Sequence, residues 1–281
     1  MTGIVVKGIG GFYYIKTETG DIVECRARGV FRKEKIKPMI GDRVNVENGS
    51  LAEILPRKNL LVRPPVANID NLVIVSAAAS PQPDFLLIDK MIINAEKVGI
   101  KPIICVNKTD LASDERIIQT YKKAGYPTVS VCARDKTGLS ELMPFLKDKT
   151  TAFAGLSGVG KSSILTLITG KELKTGSVSE KIKRGKHTTR HVELSELEDG
   201  GFVLDTPGFS LYEVEDIKAA ELADYFPEFK GEDCRFKGCS HINEPGCAVK
   251  EKLSAGEIAD TRYESYSMLY EQLKQIKDWE K

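Results

Sequence analysis

Thr150-Thr151-Ala152-Phe153-Ala154-Gly155-Leu156-Ser157-Gly158-Val159-Gly160-Lys161-Ser162-Ser163-Ile164-Leu165 runs from a short apolar segment through a glycine-rich loop into a second apolar segment. Glycines at 155, 158 and 160 let successive backbone N–H groups turn inward, which suits a chain of phosphates. Lys161 follows where an ammonium reaches the terminal phosphate oxygens, and Ser162 where a hydroxyl ligates Mg²⁺. At the ~7% usage ordinary for glycine, the four fixed positions of such a loop arise by chance in roughly one chain in a hundred. The stretch therefore predicts a strand at 150–154, a phosphate loop and a helix over 161–168. Gly155, Leu156, Ser157, Gly158, Val159, Gly160, Lys161, Ser162 and Ser163 are then the nucleotide-binding residues, with Lys161 also serving catalysis.

Outward from this loop, buried-strand and helix patterns alternate. Leu72–Ser76 and Pro102–Val106 are continuous apolar runs, and between them Phe85, Ile88, Ile92 and Ala95 recur at helical spacing, which makes a βαβ unit. A helix over 114–124, a strand over 127–131 and a helix over 139–146 precede the phosphate loop; strands over 189–197 and 202–205 follow it. The expected fold is α/β: a doubly wound, mostly parallel sheet covered by helices, with ligands at the carboxyl ends of its strands.

Two polar turns at predicted strand ends suit a guanine base. In Asn107-Lys108-Thr109-Asp110 the aspartate accepts from both N1–H and the exocyclic amine of guanine, a pairing adenine does not offer, while the Lys108 stem covers the ring. Ser130-Val131-Cys132-Ala133 resembles the short loop whose backbone amides meet the guanine oxygen, making Cys132 and Ala133 candidates. Asp205-Thr206-Pro207-Gly208 resembles the element in which an aspartate holds Mg²⁺ through water and a glycine amide meets the γ-phosphate, assigning Asp205 and Gly208. Lys186-His187-Thr188-Thr189-Arg190 resembles a first switch; Thr189, with Thr188 as its rival, joins Ser162 in the Mg²⁺ shell. Guanine-nucleotide proteins ordinarily place the phosphate loop first, whereas here it follows the guanine-reading turns, so the order is circularly permuted. Phe209 stands where many GTPases carry a water-positioning glutamine, and His187 is the best placed substitute.

The ends of the chain read differently. Before Arg63-Pro64-Pro65, short strands (IVVKG, GFYYIKT, DIVECRARG, DRVNVEN) alternate with turns, predicting a small closed barrel of the OB type. Lys7, Arg26, Arg28, Arg32, Lys33, Lys35 and Lys37 lie near Phe12, Tyr13, Tyr14 and Phe31, a mixture suited to nucleic acid, the alternative being a module that only packs on its neighbour. After about residue 220, Cys234, Cys239, His241 and Cys247 supply three thiolates and an imidazole, enough for one closed structural zinc site. Cys25, Cys105 and Cys132 are scattered, so no disulfide framework is indicated. A helix is expected over 255–279, its stripe Tyr263, Tyr266, Leu269, Leu273 and Ile276 facing a core. The domains are then 1–64, 65–220 and 221–281. Forty-one basic against forty acidic residues leave no global field to announce a nucleic acid or membrane, and no run reaches the length of a membrane span.

With these motifs placed, the chain resembles the RsgA family (YloQ and YjeQ in bacteria), circularly permuted GTPases dependent on the small ribosomal subunit. PMIGDRV, NKTD, GLSGVGKSS, KHTTR, DTPGF and CxxxxCxHxxxxxC carry the resemblance over nearly the whole chain. It implies a cytoplasmic, monomeric factor that binds the small subunit and its rRNA late in assembly and cleaves GTP to GDP, stimulated by that subunit, with Mg²⁺ and one Zn²⁺. The alternative is an rRNA-binding assembly chaperone in which GTP occupancy, not hydrolysis, matters.

Overall fold

A computed structural model describes residues 1–33, 36–61, 65–171, 193–206, 213–214, 217–231 and 233–275. Arg63 and Pro64, the expected switch at Lys186–Arg190 with His187, Thr188 and Thr189, Pro207, Gly208, Phe209 and Ile276 lie outside the described residues. By compactness the chain divides into two units: Met1–Leu72 with Leu142–Ala154 and Lys161–Phe209, and Val73–Glu141 with Gly155–Gly160 and Ser210–Lys281.

The first unit opens with a closed barrel of β1 (Thr2–Ile9), β2 (Phe12–Thr17), β3 (Ile22–Ala27), β4 (Arg43–Glu47) and β5 (Ser50–Ile54), ordered β1-β2-β3-β5-β4, with a short helix α1 (Val30–Lys33) after β3. β1 closes the ring by antiparallel pairing with β4. Gly10-Gly11 and Asn48-Gly49 hold positive φ at both positions, the conformation tight hairpin turns need and which other residue types adopt at a cost. Val5, Ile15, Cys25, Phe31, Val44, Val46 and Leu51 fill the interior. Phe31 is almost wholly buried there, so it serves the barrel core while lying beside Arg26, Arg28 and Lys37. The Asp42 carboxylate of the PMIGDRV turn is fully buried and accepts two bonds from the Arg57 guanidinium, at 2.7 and 2.9 Å, and one from the Met39 amide at 2.7 Å.

Beyond the short pair β6 (Leu60–Leu61) and β7 (Val66–Ala67), a six-stranded sheet runs in the order β10-β9-β8-β11-β13-β12. Its strands are β8 (Asn71–Ala77), β9 (Lys101–Asn107), β10 (Thr128–Ser130), β11 (Thr150–Ala154), β12 (Ser195–Glu196) and β13 (Phe202–Asp205). β9 with β10 and β11 with β13 pair parallel, and β12 pairs antiparallel to β13. Helices α2 (Phe85–Lys97), α3 (Glu115–Lys123), α4 (Leu139–Leu146) and α5 (Lys161–Thr169) fall where the periodicity predicts them. The strand expected over 189–197 is described only at β12 and a single bridge at Glu193.

In the second unit two short 3-10 helices, Ala219–Tyr225 and Pro227–Phe229, precede α6 (Ala248–Ser254) and α7 (Asp260–Gln275). The helix expected over 255–279 begins instead at Asp260, and a separate helix, α6, ends just before the expected start. Ala255 caps α6, and Gly256 takes φ +73° with its amide on the Leu253 carbonyl, which turns the chain out of the first helix. Tyr266, Leu269 and Leu273 of the predicted stripe are buried with Ile93, Leu222, Phe226, Phe229 and Val249.

Candidate functional site

Phosphate-loop geometry depends on glycine at two points. A Cβ on Gly155, which holds φ +139°, would lie 2.1 Å from the Val75 carbonyl oxygen, and one on Gly160 would lie 2.2 Å from the Asn107 amide nitrogen. Neither clash is relieved without moving backbone or the first residue of the guanine-reading turn. Asn107 is buried and uses both ends of its amide within the protein: Nδ2 donates to the Val159 carbonyl at 2.9 Å, and Oδ1 accepts from the Ala133 amide at 3.0 Å. One side chain therefore braces the phosphate loop, the NKTD turn and the Ser130–Ala133 loop against one another.

The rest of that turn has its side chains distributed along the same edge. Lys108 takes φ +64° and donates to the Ser80 carbonyl; Thr109 Oγ1 donates to the Val131 carbonyl at 3.3 Å. Asp110 keeps part of its surface open, and Arg134 Nη1, itself 82% exposed, stands 3.5 Å from its carboxylate. Arg134 was not singled out by sequence reasoning, since a lone arginine after a loop motif carries no signal. Cys132 is buried with its amide on the Thr137 carbonyl, and burial pushes the Cys105 thiol of β9 up to about 12, which leaves Cys105 an inert core residue.

In the first unit, Lys161 and Ser162 open α5, and Asp205 ends β13. Burial holds the Lys161 ammonium below the ordinary lysine value, and the Asp205 carboxylate pulls it back up. Thr206 secures the end of β13, its amide and hydroxyl both donating to the Phe153 carbonyl at 3.1 and 2.7 Å. A serine hydroxyl and a carboxylate are hard oxygen donors of the kind Mg²⁺ takes beside substrate phosphates, so the donor chemistry fits that ion.

Cys234, Cys239, His241 and Cys247 bring their ligand atoms within 4.8 Å of one another. His241 Nδ1 lies 3.6 Å from Cys234 Sγ and 3.4 Å from Cys247 Sγ, and the two sulfurs are 4.0 Å apart. The edge of a tetrahedron built on Zn–S bonds is ~3.8 Å, so the four atoms fit a closed zinc site. Helix α7 holds the ligand loop from behind: Tyr263 and Tyr266 donate their hydroxyls to the His241 and Ser240 carbonyls, each at 2.7 Å. Hydrogen bonds from the Ser240 hydroxyl and amide hold the Glu244 carboxyl down at about 2.

The barrel carries some of the expected basic and aromatic surface. The Arg26 guanidinium lies 4.4 Å from the centre of the Phe12 ring, at the edge of a cleft of about 420 Å³ lined also by Tyr13, Arg28 and Lys37. Lys7 and Arg28 are paired with Glu193 and Glu47, both at 2.8 Å.

Residues 54–215 match the RsgA GTPase family model and residues 2–52 that of the RsgA N-terminal domain. The chain belongs to the RsgA family. Two relatives, from Ruminiclostridium cellulolyticum and Caldanaerobacter subterraneus, are each 50% identical and carry the name small ribosomal subunit biogenesis GTPase RsgA. The first match covers 98% of this chain and 94% of the relative, the second 99% and 97%. The crystal structure of YjeQ from Thermotoga maritima superposes with a TM-score of 0.83 at 36% identity, covering 98% of this chain and 99% of that one. YloQ, described as a circularly permuted GTPase, gives 0.80 at 38% identity, covering 98% and 96%. The permuted order of motifs and the enzyme class, a GTP hydrolase, are those of the RsgA family.

Proposed function

We propose that this chain cleaves GTP to GDP and phosphate as a factor in small ribosomal subunit assembly, and that the subunit stimulates the reaction. The Asn107 brace carries the proposal, because it ties the guanine-reading turn to the phosphate loop in a member of a GTPase family. Asp110 and Lys108 select guanine; Thr109 and the Cys132–Ala133 loop shape its pocket. The amides of Gly155–Gly160, with Leu156, Ser157 and Val159 among them, surround the phosphates with Ser163 at the loop's end. Lys161 stabilises charge on the transferred group. Ser162 and Thr189, with Asp205 through water, would hold Mg²⁺, which offsets phosphate charge when bound. Gly208 meets the γ-phosphate, and His187 orients the attacking water.

Cys234, Cys239, His241 and Cys247 hold one structural zinc. The working division is a barrel over 1–64 that contacts rRNA, a GTPase domain over 65–220 and a zinc domain over 221–281, in a cytoplasmic monomer. No described helix is long and apolar enough to cross a membrane. Phosphate release from GTP and from ATP, measured with and without purified small subunits, tests the reading. GTP-specific turnover that rises with subunits is expected; unstimulated turnover would favour an assembly chaperone whose GTP occupancy alone matters. His187→Ala should keep GTP affinity and lose most stimulated turnover; a rate within a few-fold of wild type would remove His187 from the chemistry.

A further inference from the structure

β1 of the barrel carries a bulge. Val5 pairs with Ile15 and Lys7 with Tyr14 of β2, so Val6 is the extra residue with no partner in that ladder. Its carbonyl instead accepts from the Leu194 amide at 2.9 Å, while Lys7 bridges to Glu193. Lys7 Nζ lies 2.8 Å from the Glu193 carboxylate, and Lys16 Nζ of β2 lies 2.7 Å from Glu196. Residues 193–196 are therefore tied to the barrel along one side. Their other side belongs to the sheet: Ser195 and Glu196 pair with Val203 and Phe202, and β13 ends at Asp205. In sequence, the same segment begins four residues after Thr189. The Leu194 and Leu197 side chains are buried, so the segment is packed as well as bonded.

We infer that this seam, built from the Val6 bulge and the Lys7–Glu193 and Lys16–Glu196 pairs, is the element through which the nucleotide site and the barrel sense one another. The inference rests on the reading of Thr189 and Asp205 as nucleotide-contacting residues. A rearrangement at Asp205 acts on β13, β13 acts on 195–196, and those residues act on the bulge. Lys7 and Glu193 are positioning residues here, touching no substrate. Coupling is reciprocal, so a ligand seated on the barrel biases the nucleotide site by the same factor.

Hydrogen exchange of the intact protein tests this. With GDP and with a non-hydrolysable GTP analogue, amides in β1 and in 193–197 should differ in exchange rate by about fivefold or more, the low end of ordinary couplings. Lys7→Glu and Glu193→Lys should each shrink that difference to less than twofold, and the reversed pair carrying both changes should restore it. Restoration separates the seam from a loss of positive charge on the barrel. Lys16→Glu, Glu196→Lys and their combination provide the second, independent cycle. Fluorescent GDP binding in the same samples shows whether the nucleotide is bound, so failure of the site is distinguishable from failure of the seam. With nucleotide bound, a wild-type barrel indifferent to its identity, or single variants that keep the full difference, would overturn the inference.

Discussion

Arg262 in α7 and Lys7 in β1 both hold carboxylates at hydrogen-bonding distance, but in opposite surroundings. Arg262 is 1% exposed; its Nη1 donates to Asp89 at 2.6 Å, its Nε and Nη2 to Glu228 at 2.6 and 3.1 Å, and its guanidinium lies 4.4 Å from the Phe226 ring centre. Lys7 is 32% exposed and its partner Glu193 51%. In the first case water is absent, and losing one partner strands the other in a medium that solvates it poorly. In the second, water and salt replace most of what the pair supplies. The buried group locks α7 onto α2; the exposed pairs leave a seam whose strength responds to small changes. An anchor and a coupling element can thus be made from the same chemistry by changing burial alone.

The proposed zinc ligands are mostly half-buried, but their loop hangs on the same helix as Arg262. Cys239→Ser is expected to abolish stoichiometric zinc and to unfold the segment around 234–247, because metal binding of ~10–16 kcal/mol is folding energy in such small sites. Metal analysis and proteolysis check it. A zinc-free wild-type protein with a protected segment would show that the tyrosine and aromatic packing of α7 suffices.

Arg262→Met comes next, at about 3–5 kcal/mol of lost stability by denaturant titration. Burial already pushes the Asp89 carboxyl up, against the pull of Arg262. Without the arginine it rises further, so folding takes up a proton that the unfolded carboxyl, at ~3.9, releases. The variant should therefore lose stability as pH rises above ~4, and Arg262→Met with Asp89→Asn should recover part of the loss. A pH-independent penalty would point to packing alone.

What could be read from sequence follows the same divide. β8 and β9 were legible because strands buried on both faces carry nearly continuous apolar runs, and β11 and α5 because the glycine loop between them has a fixed pattern. Arg262 was not: it lies one turn before Tyr266 on the core-facing side, but a charge at a core position makes sense only beside Asp89, 173 positions away. The Val6 bulge left no glycine or proline to mark it. α6 carried too short an apolar pattern to read as a helix, and Gly256, which ends it, stood inside the span expected to be helical. Asn107 was read as part of a base-binding motif, while its bonds to Val159 and Ala133 depend on loops that only the fold brings together.

Asp110 sits between the extremes, and its weak, exposed neighbour Arg134 leaves it available to a base. Asp110→Asn should lower GTP affinity by about 30- to 1000-fold, from the loss of two charge-assisted bonds worth ~1.5–3 kcal/mol each less what the amide recovers. Xanthosine triphosphate should bind better than to wild type, since the amide offers a donor where that base presents an acceptor. Competition with fluorescent GDP reads both, and unchanged GTP affinity would take Asp110 out of the site.

The smallest effect belongs to Lys58, whose Nζ lies 2.6 Å from Asp70 at 58% exposure. Burial alone would raise the Asp70 carboxyl, but the bonds from Lys58 and from the Thr150 amide hold it below the ordinary value. A depressed carboxyl contributes stability that is present above the unfolded value near ~3.9 and is lost as pH falls through the folded one. Lys58→Met keeps the apolar stem and removes the charge, so it should move Asp70 only part of the way back, because the Thr150 amide remains. Carboxyl titration by NMR measures that shift directly. The accompanying stability loss near neutral pH should be within ~1 kcal/mol and should shrink in high salt, as an exposed pair requires. A loss of several kcal/mol, insensitive to salt, would mean that the pair behaves like Arg262 and Asp89 despite its exposure, and that burial is not what separates the two regimes.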